Sequence, residues 1–209
     1  MSESKSIVYV IDDDAAVRAA LTSLIWSVGL RAEVFGSAKE FLDKRDVDRT
    51  SCLVLDVRLP GTSGLDFQRE LAEANIGIPI IFVTAHGDVA MSVRAMKAGA
   101  MEFLTKPFRD QDLLDAIHSA LQRDALRREQ EAEVADLQER FARLTPRERE
   151  ILPLVVAGLP NKQVAAEIGA SEAAAKVHRS QLMRKMGAES LPELVRMAQK
   201  MGIGGRKAS

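Results

Sequence analysis

The chain predicts a two-part protein: a doubly wound α/β unit on a parallel sheet, then a small all-α unit. Three observations carry this. Short apolar runs alternate with stretches of helical spacing five times before residue 122. Four of those runs end in a polar or charged residue, Asp12, Asp56, Thr84 or Lys106. After residue 144 only helical periodicity remains, and the balance of charge changes sign. Strand–helix alternation calls for a parallel sheet covered on both faces, because each crossover lays a helix on the sheet.

Ile7–Ile11 is the first strand-like run and ends in Asp12-Asp13-Asp14. Val17, Ala20, Leu21, Leu24 and Val28 follow at helical spacing, with Asp14 as the helix cap and Gly29 as its stop. Trp26 belongs to this helix and is expected to pack. Ala32–Phe35 is a second strand, and Ser37 caps a short helix with Phe41 and Leu42. The apolar run Cys52–Leu55 leads into Asp56, with Pro60-Gly61 just beyond. Leu65, Phe67, Leu71 and Ala72 mark a helix, and Ile78–Val83 a strand ending at Thr84. Val89, Val93 and Met96 mark another helix. Glu102–Leu104 is a brief strand before Thr105-Lys106-Pro107, and a helix from about Asp110 carries Leu113, Leu114, Ile117 and Leu121. The expected arrangement is a flavodoxin-like (βα)5 unit with strand order 2-1-3-4-5 and right-handed crossovers.

Residues 122–143 are dense in charge and hold no Pro or Gly. They predict a helical linker. Val134, Leu137, Phe141 and Leu144 form a short heptad-like stripe on it, facing either a second copy or one of the two domains. Thr145-Pro146-Arg147-Glu148 reads as a capping box, and Pro153 should kink the helix it opens. Asn161 is expected to cap a short helix with Val164, Ala165 and Ile168. Gly169-Ala170-Ser171 is a tight turn into a helix over 172–186, and a last helix runs from Leu191 to about Met201. The tail from Gly202 onward is expected to fray. The predicted divisions are 1–121, the linker 122–143, and 144–209.

Composition narrows the function. The net charge of -1 conceals two halves. Residues 1–121 hold 13 Lys and Arg against 18 Asp and Glu, whereas 144–209 hold 11 against 6. An acidic front and a basic back suggest two tasks, with a polyanion as partner of the second. Cys52 is the only cysteine and lies in an apolar run, which excludes an intrachain disulfide and suggests a core residue. No apolar stretch is long enough for a membrane span or signal peptide, so a cytoplasmic protein with no membrane partner is expected.

The strand ends carry the chemistry. In a parallel sheet Asp12, Asp13, Asp56, Thr84 and Lys106 meet on one edge. Carboxylates so crowded need a cation, and Mg²⁺, hard and octahedral, suits them. An ammonium and a hydroxyl beside them suit a phosphoryl group. His86 and His118 are expected to be structural or solvated. In the back half, Ala173, Lys176, Val177, Ser180 and Arg184 share one face of a helix, and Ala175, Leu182 and Met186 the other. Small and basic residues outside with apolar ones inside suit a helix that enters the major groove.

Asp12-Asp13, Asp56 before Pro60-Gly61, Thr84-Ala85 and Lys106-Pro107 resemble the receiver domain of two-component response regulators, over residues 5 to about 122. The resemblance implies that Asp56 accepts a phosphoryl group from a sensor histidine kinase. It implies that Asp13, Asp56 and the backbone carbonyl of Arg58 ligate Mg²⁺, with Asp12 acting through water. Lys106 and Thr84 would contact the phosphoryl oxygens, Phe103 would move with Thr84, and the bond before Pro107 would be cis. From Leu144 onward the chain resembles the LuxR-type output domain of FixJ/NarL-type regulators. The carrying residues are Leu144–Glu150, Gly158, Asn161-Lys162, Ala165, Ser171-Glu172, Lys176-Val177-His178 and Lys185-Met186. That likeness implies base contacts from Lys176, Val177 and Ser180, and phosphate contacts from His178, Arg179 and Lys162. Ala174-Ala175 departs from the family's Thr-Val. Restoring Val at 175 should raise thermal stability by about 1 kcal/mol. The expected function is a bacterial transcriptional regulator, activated by phosphorylation and dimerising to bind promoter DNA, with RNA polymerase as a further partner. Its only expected chemistry is self-phosphotransfer and autodephosphorylation at Asp56. The alternatives are a signalling adaptor that no longer binds DNA and a Mg²⁺-dependent phosphohydrolase.

Overall fold

The computed structural model describes residues 6–46 and 48–204. The part of the tail beyond residue 204, expected to fray, lies outside them. Chain contacts divide the protein into two compact units that meet between Arg128 and Glu129.

The first unit is a five-stranded parallel sheet in the order β2-β1-β3-β4-β5, as expected. Its strands are β1 (Ser6–Ile11), β2 (Arg31–Phe35), β3 (Thr50–Leu55), β4 (Ile80–Thr84) and β5 (Glu102–Thr105). The helices between them are α1 (Ala15–Ser27), α2 (Ala38–Lys44), α3 (Gly64–Glu73) and α4 (Val89–Lys97), and α5 (Asp110–Ala142) follows. β1, β3 and β4 are buried on both sides, so their apolar runs are continuous. Alternate residues go to opposite faces. Ile7, Tyr9, Ile11, Leu53, Leu55 and Phe82 pack with Phe41 of α2, Phe67 and Leu71 of α3 and Ala95 of α4. Val8, Val10, Cys52, Val54, Ile81 and Val83 pack with Leu21 and Ile25 of α1 and with Leu113 and Ile117 of α5. Each such Val, Leu, Ile or Phe side chain contributes about 1.5–3 kcal/mol on leaving water. Tyr9, Phe41 and Phe67 also meet edge to face, at centroid separations of 5.2 and 6.1 Å. Burial, with the Asp124 carboxylate adding to it, pushes the Cys52 thiol far up and leaves it a core residue rather than a nucleophile.

Local signals set the helix ends. Asp14 caps α1 by accepting the amides of Ala16 and Val17, and Ser37 caps α2 through the Glu40 amide. Two expectations fail in this unit, the packing of Trp26 and the start of β4 at Ile78, and two of the expected helices turn apolar residues outward. Trp26 is 61% exposed, because Leu21 and Ile25 define the inner face of α1 and the next residue is turned about 100° away. Leu42 is exposed beside the buried Phe41 for the same reason. On α4, Val89, Val93 and Met96 share the outer face, Val89 being 79% exposed, while Ala95 points to the core. β4 starts at Ile80 rather than Ile78.

The linker is helical but has no separate start: α5 is one helix of 33 residues. Its first turns belong to the core of the first unit. Its last turns belong to the second, where Leu137 and Leu144 are buried and Phe141 packs against that core. The second unit adds α6 (Pro146–Val156), α7 (Asn161–Glu167), α8 (Glu172–Met186) and α9 (Leu191–Lys200). The capping box forms: Glu148 accepts the Thr145 amide and donates its own to the Thr145 hydroxyl. α6 continues through Pro153 to Val156, its neighbours Leu152 and Leu154 buried, so packing retains the helix that the ring disfavours. Asn161 is not a cap. Pro160 precedes the helix without a side-chain bond, and the Asn161 Oδ1 accepts from Arg179 instead.

Candidate phosphoacceptor site and DNA-reading helix

The carboxyl edge of the sheet gathers the acids because the strands stop in register. Ile11 pairs with Leu55, so Asp12 and Asp56 are the next residues on adjacent strands. The Asp56 amide donates to the Ile11 carbonyl at 2.9 Å, and the Lys106 amide to the Thr84 carbonyl at 2.8 Å, extending both ladders one step past the strand ends. Carboxylate oxygens of Asp12, Asp13 and Asp56 all lie within 4.8 Å of one another. Asp12 is buried, Asp13 exposed, and Asp56 is 9% exposed.

Each side chain is held locally. Asp12 accepts the Asp14 amide at 2.9 Å through one oxygen and the Lys106 ammonium at 2.8 Å through the other. Lys106 lies 3.8 Å from Asp56. Asp56 accepts the Arg58 amide at 3.1 Å, which turns the chain away after the strand. Thr84 is buried, its hydroxyl accepting the His86 amide at 3.3 Å. Phe103 is half-buried against Phe82, with ring centroids 6.0 Å apart. The Lys106–Pro107 peptide is cis. Asp12, Asp13, Asp56, Thr84 and Lys106 therefore share one edge.

One ammonium faces three carboxylates, an excess of negative charge in a partly desolvated pocket. The donor set is all oxygen. Opposite ligands of an octahedral Mg²⁺ stand about 4.2 Å apart, close to the spread of these oxygens. The residues present therefore fit a hard divalent cation.

Sequence reasoning missed two supports. Gly64 opens α3 directly beneath the site, and a Cβ there would collide with the Asp56 backbone carbonyl. The buried Gln68 donates its amide to the Ala95 and Ala98 carbonyls at 3.3 and 3.1 Å, tying α3 to the end of α4. The glycine after Ser63 was a visible signal for the first; nothing local signals the second.

In the second unit, α7, a tight turn at Gly169 and α8 form a helix–turn–helix. Ala175, Leu182 and Met186 are fully buried, and Ala173, Lys176, Val177, Ser180 and Arg184 are exposed, as the projection predicts. Lys162 is exposed on α7. Arg179 differs from a free phosphate ligand: its guanidinium donates to the Leu159 carbonyl at 3.1 Å and to Asn161 at 3.4 Å. His178 is half-buried, with Nδ1 enclosed and lacking a hydrogen-bond partner.

Comparison with known proteins agrees with this architecture. Residues 8–118 match the response regulator receiver domain, and residues 142–198 the bacterial regulatory proteins of the luxR family. The chain is 55% identical to nodulation protein W of Bradyrhizobium diazoefficiens, covering 97% of this chain and 89% of that one. It is 48% identical to response regulator protein TodT of Pseudomonas putida, covering 96% and 88%. It is 41% identical to transcriptional regulatory protein FixJ of B. diazoefficiens, covering 96% and 98%. Among solved structures, response regulator StyR aligns with a TM-score of 0.85 at 48% identity, covering 94% of this chain and all of that one. Full-length FixJ from B. japonicum aligns at 0.56 and 40% identity, covering 94% and 97%. An acidic strand-edge pocket in one unit and a basic reading helix in the other belong together in one kind of molecule: the chain is a member of the response regulator family, a phosphorylation-activated DNA-binding transcriptional regulator with a receiver and a LuxR-type output domain.

Proposed function

We propose that Asp56 is the phosphoacceptor and that its modification controls promoter binding by the second unit. The observation that carries this is the convergence of Asp12, Asp13, Asp56 and Lys106 on one sheet edge. An Asp56 oxygen attacks the phosphorus of a sensor kinase phosphohistidine. The P–N bond breaks, the electron pair returns to the imidazole, and an acyl phosphate remains on Asp56. Asp13, Asp56 and the Arg58 carbonyl would hold Mg²⁺, with Asp12 acting through water. The ion, when bound, offsets charge on the phosphoryl oxygens. Lys106 exchanges its pairing with Asp12 for the phosphoryl oxygens, and Thr84 rotates to donate to them, with Phe103 following. The protein's own turnover is limited to this transfer and to hydrolysis of the acyl phosphate.

The new group adds about two negative charges at one point. We infer that this favours a homodimer, which presents two copies of α8 to two half-sites. Lys176, Val177 and Ser180 would read base edges, and His178 and Lys162 would meet phosphates. Arg179 would do so only by giving up its bonds to Leu159 and Asn161. RNA polymerase is the further partner, and the bacterial cytoplasm is where promoter DNA is met. The functional divisions would be a receiver over 1–121, a linker over 122–143 and a reading domain over 144–209.

The test is phosphorylation by acetyl phosphate with Mg²⁺, read by intact mass and by gel shift on promoter DNA. Wild type should gain one phosphoryl group and bind DNA more tightly. Asp56→Asn should do neither, and chelation of Mg²⁺ should stop labelling. Labelling of Asp56→Asn to the wild-type level would refute the assignment.

A further inference from the structure

The carboxyl end of α8 is held by the last turns of α5, outside the helix–turn–helix itself. Arg140 donates through Nη1 to the Met186 carbonyl at 3.0 Å. Met186 ends α8, so this carbonyl is one of the acceptors a helix leaves without an internal partner. The positive guanidinium also lies at the negative end of the helix dipole. Asp136, one turn earlier on α5, holds the other terminal nitrogen of Arg140 at 2.8 Å and orients it. Gly187 closes the helix at φ 71°, and a Cβ there would come within 2.5 Å of the same guanidinium. Leu137, one turn before Phe141 on the same helix, is buried in the core that holds Leu182 and Met186.

We propose that Arg140 is a positioning residue for DNA recognition: it fixes the seat of α8 from the helix that leaves the receiver. This rests on α8 being the reading helix. Arg140 acts through the Met186 carbonyl and not by touching DNA. Its loss should therefore lower affinity for the correct sequence, which needs Lys176, Val177 and Ser180 aligned to base edges. Non-specific affinity depends on total charge near phosphates and should stay as it was.

The experiment uses the full chain treated with acetyl phosphate and a duplex selected by the wild-type protein from random sequence. Affinities for that duplex and for an unrelated duplex are measured across a salt series. Arg140→Ala should weaken the selected duplex about fivefold, leaving the unrelated duplex and the salt slope unchanged. Arg140→Lys should recover part of the loss, and Asp136→Ala should show a smaller loss of the same kind. These two milder variants carry the test if Arg140→Ala does not fold. Unchanged affinity of Arg140→Ala or Asp136→Ala for the selected duplex would overturn the proposal. So would an equal loss on both duplexes with the slope smaller by about one, the mark of a direct phosphate contact. Lys176→Ala serves as the control. If it weakens the selected duplex while Arg140→Ala does not, only the role of Arg140 falls. If it has no effect, the assignment of α8 falls as well.

Discussion

Lys106 spends its charge on Asp12 at 2.8 Å and stands 3.8 Å from Asp56, so it competes with any cation for the same carboxylates. Lys106→Ala should therefore bind Mg²⁺ about fivefold more tightly in calorimetry, the change expected from one neighbouring charge in a partly solvated site. The same variant should take up phosphate from acetyl phosphate more slowly, because the incoming oxygens lose their ammonium. Glu148 offers a second test. Burial alone would raise its carboxyl, but the Lys185 ammonium and the amide and hydroxyl of Thr145 together hold it below the usual range. A carboxyl depressed by folding adds stability above its unfolded pKa, about 4.3, and loses it as pH falls through the folded value. The melting temperature of the second unit should drop on acidification below about pH 4. Glu148→Gln should be less stable at neutral pH and should show a flatter profile over that acidic window, as followed by circular dichroism. An unchanged profile would remove Glu148 as the cause.

At the scale of elements, α3 is placed by a single hydrogen atom. Gly64 has no room for a methyl group, because the Asp56 backbone carbonyl occupies that space. Gly64→Ala must move either the first turn of α3 or the strand end that aims Asp56. The expected cost is about 1–3 kcal/mol of stability by urea unfolding. Phosphorylation should slow as well; a variant with wild-type stability would show that the approach is looser. Most of the sheet and its helices were legible in sequence, because burial on both faces writes a continuous apolar run and each cap writes a Ser, Thr or Asp. Helix faces were less legible. Val89, Val93 and Met96 keep helical spacing, yet that spacing says only that they share a face, and here the face is the outer one. Asn161 has the composition of a cap, but its side chain is engaged by Arg179, eighteen residues away in sequence.

At the scale of the whole molecule, α5 takes part in both cores. Near its middle, Asp124 is fully buried and accepts the Ser51 amide, Arg127 and Arg128. Near its end, Leu137 and Phe141 complete the core of the second unit. A reading domain cut at residue 144 would lose Leu137 and Phe141 and so expose part of the core they complete. A fragment over 129–209 should therefore melt several degrees above one over 144–209, since losing one buried leucine costs about 2–5 kcal/mol. Equal melting temperatures would show that the last turns of α5 are dispensable to that core.

The chain's own pattern determined the alternation of strands and helices, the acids at the strand ends and the two faces of α8. Those features depend on periodicity and on residues close in sequence, so they can be seen without coordinates. Tertiary structure alone decided that the α5 stripe faces the second unit's core, that Asp124 reaches Ser51, and that Arg140 reaches the end of α8. Each joins residues 46 to 73 positions apart or more than one element, and no local preference encodes such a meeting. It follows only once burial of the apolar faces has brought those surfaces together.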